Sequence, residues 1–317
     1  MKSYFVYSNG YDFGFDALSF FHPFHGKKFS EAWKLFSNKV EESPEPFWIE
    51  PKLPISDEQL LKIHNQTYLQ SLKQSVSIAK VVEINIAQWI PNKLLQGRLM
   101  KPIRLACNGT LLAAEVALQR RAIAMNFGGG YHHAHADHGE GFCFFADAAL
   151  SILECREKGL LSEKEKVLMI DLDAHRGNGF EAVTRNDEAV FIFDMYNFQI
   201  YPGLHPGEPD DLSYMIPLRF GMDGDNYLNI LESKLTSFLQ EHSDAALVFY
   251  NAGNDILAED PLGGLNVAYD DVIRRDQMVI DHLNQLDVPA VIMTSGGYTR
   301  RSHELIAEMA GYLLTGS

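Results

Sequence analysis

Cysteine is scarce: Cys107, Cys143 and Cys155 are the only three, and no two form a spaced ligand pair. That excludes a disulfide framework and a thiolate zinc site, and fits a reducing compartment. Basic residues are also in deficit, with 27 Lys+Arg against 42 Asp+Glu and a formal charge of -15. Such a surface repels bare nucleic acid, whose binding depends on neutralising phosphates. It suits cationic partners such as lysine-rich tails or polyamines, although acidity also simply aids solubility. No apolar run approaches the roughly 20 residues of a membrane span. Met1–Ser8 lacks the basic-then-apolar layout of a secretory signal, so the expectation is a cytoplasmic protein. Internal repeats and low-complexity tracts are missing. Gly128–Gly130 is followed by no Gly-Lys-Ser/Thr and makes no phosphate loop, and there is no Gly-x-Ser-x-Gly elbow.

What is present is an ordinary globular composition, 46% hydrophobic and 22% charged over 317 residues, enough to bury a sizeable core. Five short runs rich in Val, Ile, Leu, Met or Phe read as strands buried on both faces: Ala122–Phe127, Val167–Ile170, Val190–Phe193, Ala245–Tyr250 and Val288–Met293. Helical patterns cover Ser56–Ser71, Ala106–Arg121 (with Asn108–Gly109–Thr110 as its entry), Ala146–Glu157, Tyr227–Gln240 and Asp270–Asn284. The Pro- and Glu-rich stretch Glu41–Leu53 reads as a surface loop rather than a linker. Alternating strands and helices predict one α/β domain with a parallel sheet. Polar clusters follow four of the strands, at Asn126–His138, Asp171–Gly179, Asn251–Asp255 and Thr294–Tyr298. Open parallel sheets bind ligands beyond their strand carboxyl ends, so the four clusters should meet at one rim.

Asp171–Leu172–Asp173–Ala174–His175 follows the apolar run VLMI. In extended backbone alternate residues share a face, which would point Asp171, Asp173 and His175 the same way. Carboxylate oxygen and imidazole nitrogen suit Zn²⁺, and also Fe²⁺ or Mn²⁺. A third ligand would come from Asp255, with Asp260 the competitor five residues on. Two acids and one histidine leave coordination positions open, as catalytic metal sites do, and hydrolysis is the expected reaction.

The segment FGGGYHHAHADHGEGF carries His132, His133, His135 and His138. On a glycine-rich loop the adjacent pair His132 and His133 can both line a cavity, and imidazole suits proton transfer between water and a leaving amine. Asp171 and Asn178 are available to orient the two rings. His135 and His138 lie past the pair, as part of an entrance or of a polar surface turn. Tyr298, after two glycines at a strand exit, could donate its hydroxyl to a developing oxyanion. Cys143 reads as a wall residue rather than a nucleophile.

With these pieces in place the chain resembles the zinc-dependent histone deacetylases of the arginase/deacetylase fold. The resemblance is carried by HPFHGKKF, IHNQTYL, NGTLLAAEVAL, NFGGGYHHA, GEGFCFFADAALSI, VLMIDLDAHRGNG, IYPG, YNAGNDILAEDPLGGL and TSGGYTRRSHELIA, in the family's order from about His22 to Ala307. It implies a single domain over residues 1–317, a three-layer α/β/α architecture with a central, mostly parallel sheet. DLDAHRGNG, with Ala174 and Asn178, looks most like the class IV branch; many class I relatives have aspartate where this chain has Asn178. The common Phe-Asn-Asp is Phe145–Ala146–Asp147 here.

Position by position, the resemblance makes Asp173, His175 and Asp255 the metal ligands and leaves Asp260 as a loop-stabilising residue. His133 becomes the general base and acid, held by Asn178, and His132 its electrostatic partner, held by Asp171. Tyr298 would polarise the substrate carbonyl. Phe142 and Tyr201 would line a channel for the lysine side chain, and the Gly141 carbonyl would accept the substrate amide hydrogen. A structural K⁺ is implied near Asp171, Asp173, His175, Asp194 and Met195. The implied substrate is an acylated lysine in a protein or peptide, with a small acylated amine such as an acetylpolyamine, or a non-catalytic binding role, as alternatives.

Overall fold

The computed structural model describes residues 1–14, 25–40, 48–203 and 214–315. His22 and the stretch 41–47 of the expected surface loop lie outside the described residues.

Apolar runs without a polar alternation need cover on both faces, and the sheet supplies it. Its strands are β1 (Ser3–Val6), β2 (Trp48–Ile49), β3 (Ile123–Asn126), β4 (Val167–Asp171), β5 (Val190–Asn197), β6 (Met215–Leu218), β7 (Leu247–Asn251) and β8 (Ala290–Met293). Every strand pairing of the sheet is parallel, in the order β2-β1-β3-β8-β7-β4-β5-β6. β3, β4, β7 and β8, the four central strands, are buried at every residue. Helices Lys28–Val40, Ser302–Thr315, Tyr269–Leu286 and Gly224–Glu241 pack in succession in one layer; Lys101–Arg120, Asp147–Glu157 and Asn178–Thr184 form the other. This is the expected α/β/α arrangement.

The four polar clusters follow β3, β8, β7 and β4, which are consecutive in the sheet, so their carboxyl ends share one crevice. Arg275, fully buried on helix Tyr269–Leu286, anchors that rim from below. Its guanidinium donates to the carbonyls of Gly253 (2.5 Å) and Leu172 (3.2 Å) while pairing with Asp276 (2.8 Å). It thereby ties the loop after β7 to the loop after β4.

Some boundaries differ from the sequence reading. Asn108–Gly109–Thr110 is no helix entry; the helix starts at Lys101, with a proline in its first turn, and passes through the glycine. Gly109 is there because a Cβ would lie 1.9 Å from the Tyr11 hydroxyl oxygen and 2.7 Å from Asn126 Oδ1. Ser56–Ser71 is two short helices, Asp57–Leu60 and Gln66–Ser71, each started by its own side-chain cap, Ser56 and Asn65. The described end of the expected surface loop, Trp48–Ile49, pairs with β1 as an edge strand. β1, β2 and β6 were not legible as strands, being two to four residues long and, in β6, interrupted by Pro217.

His64 fastens one wall of the crevice. Its Nδ1–H donates to the His135 carbonyl (2.9 Å), and its Nε2 accepts from the Ala146 N–H (3.1 Å). Burial lowers its pKa from 6.5 to about 4, so the fold holds the neutral ring. Because the folded value lies below the unfolded one, this contribution is complete above about pH 6.5 and is lost as pH falls toward about 4, at roughly 1.4 kcal/mol per unit. Chemical denaturation across that window should show the unfolding free energy of the wild type falling more steeply than that of His64→Gln; equal slopes would contradict the assignment.

Candidate metal centre and active site

β4 ends at Asp171, and Asp173, Ala174 and His175 form a bend rather than the extended segment that alternation implied. The carboxylates themselves make the bend. Asp171 Oδ1 accepts from the Asp173 N–H (3.2 Å), and Asp173 Oδ1 accepts from the His175 N–H (3.0 Å). From the loop after β7, Asp255 Oδ1 accepts from the Ala174 N–H (2.8 Å). From the loop after β8, Ser295 Oγ and the Gly296 N–H both donate to Asp173 Oδ2 at 3.0 Å. Three strand exits thus fix one cluster.

Asp173, His175 and Asp255 each offer one ligand atom, all within 4.8 Å of one another. His175 Nδ1 lies 3.1 Å from Asp173 Oδ1 and 2.9 Å from Asp255 Oδ2. Burial disfavours the His175 cation, yet the two carboxylates raise its pKa to about 10. Burial and the charge of Asp173 push the Asp255 carboxyl up to about 7. Two acids sealed side by side in this way demand a positive charge between them. The donor set, two oxygens and one nitrogen, fits a divalent cation. Space is kept for it: a Cβ on Gly296 would lie 2.4 Å from Asp173 Oδ2 and 2.6 Å from Asp255 Oδ2. Asp260, the alternative ligand, instead accepts from the backbone N–H groups of Tyr298 (2.7 Å) and Leu262 (2.9 Å).

The histidine pair sits on the turn after β3, where Gly129 and Gly130 take φ of 81° and 79°. His132 and His133 are buried, with ring centroids 4.1 Å apart. They are held differently. His132 Nδ1 meets Asp171 Oδ2 at 2.8 Å, whereas His133 Nδ1 meets Asn178 Oδ1 at 2.7 Å. Each Nδ1–H is the donor, which turns His133 Nε2 away from Asn178, while His132 Nε2 lies 3.7 Å from Asp173 Oδ1. Burial opposes charge on His132, but Asp171 and Asp173 raise its pKa to about 9. Burial, His132 and His175 hold His133 well below its ordinary value.

Gly141, Phe142, Cys143 and Tyr298 line a pocket with His132, His133, Asp173 and Gly296, and Phe13, Phe29, Ile103 and Tyr131 complete it. Burial, with the charges of Asp173 and Asp255, pushes the Tyr298 phenol well above its usual value, so it stays protonated. The Tyr201 ring stands edge-on to His133, centroids 5.2 Å apart, and is 42% exposed. Asp194 faces Asp171 across β5 and β4, with Met195 next to it; Asp194 Oδ1 is buried without a hydrogen-bond partner. The structure places Asp173, His175 and Asp255 in one cluster and His132, His133, Gly141, Phe142 and Tyr298 around the adjoining pocket, while His135 and His138 lie on the turn outside it.

Three further residues, to which the sequence assigns no role, support the site. Asp147 is buried and accepts from the N–H groups of Gly130 (2.9 Å) and Tyr131 (3.0 Å) and from Thr110 Oγ1 (2.6 Å), fixing the turn that carries the histidines. An aspartate at the end of an apolar run (FCFFAD) was the available signal. Lys28 is also buried, its Nζ donating to the Ser295 carbonyl at 2.6 Å. Asn251 Nδ2 donates to Asp171 Oδ1 (2.9 Å). In sequence Lys28 looks like an ordinary surface residue, and Asn251 only opens a polar cluster.

A crevice at the carboxyl ends of a parallel sheet, with an acid–imidazole–acid cluster beside two oriented histidines, defines a candidate metal-dependent hydrolase. The family profile "Histone deacetylase domain" matches residues 22–313. The chain belongs to the histone deacetylase family. It is 38% identical over 304 residues to "Histone deacetylase 2" of Arabidopsis thaliana, covering 96% of this chain and 76% of that one. It is 32% identical over 200 residues to "Histone deacetylase 8" of Xenopus laevis, covering 60% of this chain and 58% of the relative. The solved structure "Crystal Structure of HDA15 HD domain" superposes with a TM-score of 0.77 at 19% identity, covering 100% and 88% of the two chains. This family membership supports a metal-dependent amide-hydrolase mechanism, and no helix of the described residues is long and apolar enough to cross a membrane.

An ion bound only by the folded state stabilises it by mass action, about 4 kcal/mol at a thousandfold excess over Kd. Chelation should therefore lower the thermal unfolding midpoint of the wild type, and added Zn²⁺ should restore it. Asp255→Asn should respond much less than the wild type to either treatment; an unchanged wild-type midpoint, or equal shifts in the two proteins, would count against the centre.

Proposed function

We propose that the chain hydrolyses acyl-lysine amides. The observation that carries this reading is the shared crevice of the Asp173–His175–Asp255 cluster and two histidines oriented by different partners. Zn²⁺ is the proposed ion, with Fe²⁺ the alternative, held by Asp173, His175 and Asp255. When bound it supplies Lewis-acid polarisation of the carbonyl and acidifies water. His133, kept neutral by its surroundings and oriented by Asn178, takes the proton of the attacking water and returns it to the leaving amine. His132, paired with Asp171, contributes the neighbouring charge. Tyr298 donates to the carbonyl oxygen as negative charge develops on it. The Gly141 carbonyl accepts the substrate amide hydrogen, and Phe142 and Tyr201 flank the lysine stem. A K⁺ beside Asp171, Asp173, His175, Asp194 and Met195 has support from the unpartnered Asp194 oxygen.

The DLDAHRGNG segment supports a class IV reading, and residues 1–317 are proposed to act as one catalytic domain. Three free, buried cysteines support a reducing, cytoplasmic setting. The net charge of -15 favours a cationic carrier of the acyl group, a lysine-bearing peptide first and a polyamine second.

Two measurements test this. Tyr298→Phe should keep its metal and lose about 10²–10³-fold in kcat, as expected for one oxyanion donor. Acetyl-lysine peptides, fatty-acyl peptides and acetylpolyamines should be assayed in parallel, with a peptide preferred. Turnover of small amines alone would refute the peptide substrate, and full metal occupancy without hydrolysis of any acyl amine would favour a binding protein.

A further inference from the structure

A second set of metal-ligating side chains lies outside the crevice cluster, on the turn that follows the histidine pair. His135, His138 and Glu140 each offer a ligand atom, all within 4.8 Å of one another. His135 Nε2 is 3.4 Å from Glu140 Oε1, and His138 Nε2 is 3.7 Å from Glu140 Oε2. Ligands about 2.1 Å from a tetrahedral ion stand roughly 3.4 Å apart, so little movement would bring these atoms around one ion. The two imidazoles stack at 4.3 Å with planes 8° apart.

The turn is already organised. The His135 N–H donates to the His138 carbonyl (2.9 Å), the Asn65 N–H donates to the Ala136 carbonyl (2.8 Å), and His64 holds the His135 carbonyl. His138 Nδ1–H donates to Asp137 Oδ1 at 2.7 Å. A carboxylate on the far ring nitrogen is the usual support of a metal-ligating histidine, because it fixes the tautomer that leaves Nε2 free. His138 is 51% exposed at its side chain, so an ion can enter from solvent.

We propose that His135, His138 and Glu140 form a second, solvent-accessible site for a transition-metal dication such as Zn²⁺, with water completing its coordination. The two-nitrogen, one-oxygen donor set selects such an ion over Mg²⁺ or Ca²⁺, which take oxygen ligands. Occupancy reaches the crevice through the hydrogen bonds that Glu140 accepts from Asn178 and Tyr201. Asn178 Nδ2 donates to Glu140 Oε1 at 2.7 Å while its Oδ1 holds His133 Nδ1. An ion drawing on the Glu140 carboxylate competes for that oxygen and loosens the amide that orients His133, so filling this site slows turnover. That consequence rests on the hydrolase reading; the ion site itself does not.

Equilibrium dialysis of the full chain against Zn²⁺, followed by metal analysis, reads the site without any activity assay. The wild type should hold two ions. His138→Ala should hold one; the backbone carbonyl that closes the turn remains in this variant. Asp255→Asn should also hold one, and the double variant none. Micromolar Zn²⁺ that fills the second site should lower wild-type kcat severalfold and leave His138→Ala unaffected. A single ion on the wild type, or equal stoichiometry in the wild type and His138→Ala, would overturn the proposal.

Discussion

Two carboxylates, Asp173 and Asp255, lie almost wholly out of solvent beside one another, and the architecture of the crevice answers to their charge. Isolated anions in such surroundings would be prohibitively costly. Backbone N–H groups of Ala174, His175 and Gly296 are therefore aimed at them, and His175 stands between them. Behind them sits Lys28, whose pKa burial lowers to about 8 even as Asp255, Asp173 and Asp260 oppose the shift. The site is thus prepared to exchange repulsion for coordination when a divalent ion arrives.

The neighbouring histidines show how one turn can carry two different imidazoles. Asp171 gives His132 a charged partner, and Asn178 gives His133 a neutral one, so their pKa values are driven apart. Groups whose environments split their protonation are suited to divided labour in proton transfer. Asp147 enforces the geometry from outside by holding two successive N–H groups of the turn. Glu140 acts on the opposite side, through Asn178, and links that amide to the solvent-facing histidines.

The central strands and the four polar clusters were legible because continuous apolar runs and abrupt polar exits leave a signal in one dimension. Asp173 and His175 followed from that placement, whereas the choice of Asp255 over Asp260 came from the resemblance; the wrong step was local, because the residues after β4 share a face through carboxylate-capped bends, not through extended backbone. Gly109 was misread because its meaning lies in a contact with Tyr11, about a hundred positions away in the chain. Lys28 and Arg275 were invisible for the same reason. A basic residue on an amphipathic helix looks solvated until the fold buries it against carbonyls. Edge strands such as Trp48–Ile49 are too short to announce themselves.

X-ray absorption at the zinc edge tests the metal centre most directly. In protein carrying one equivalent of Zn²⁺, the account predicts a first shell of oxygen and nitrogen only, at about 2.0–2.2 Å, with a single imidazole and no sulfur. A sulfur scatterer, or a first shell identical in Asp255→Asn, would contradict it.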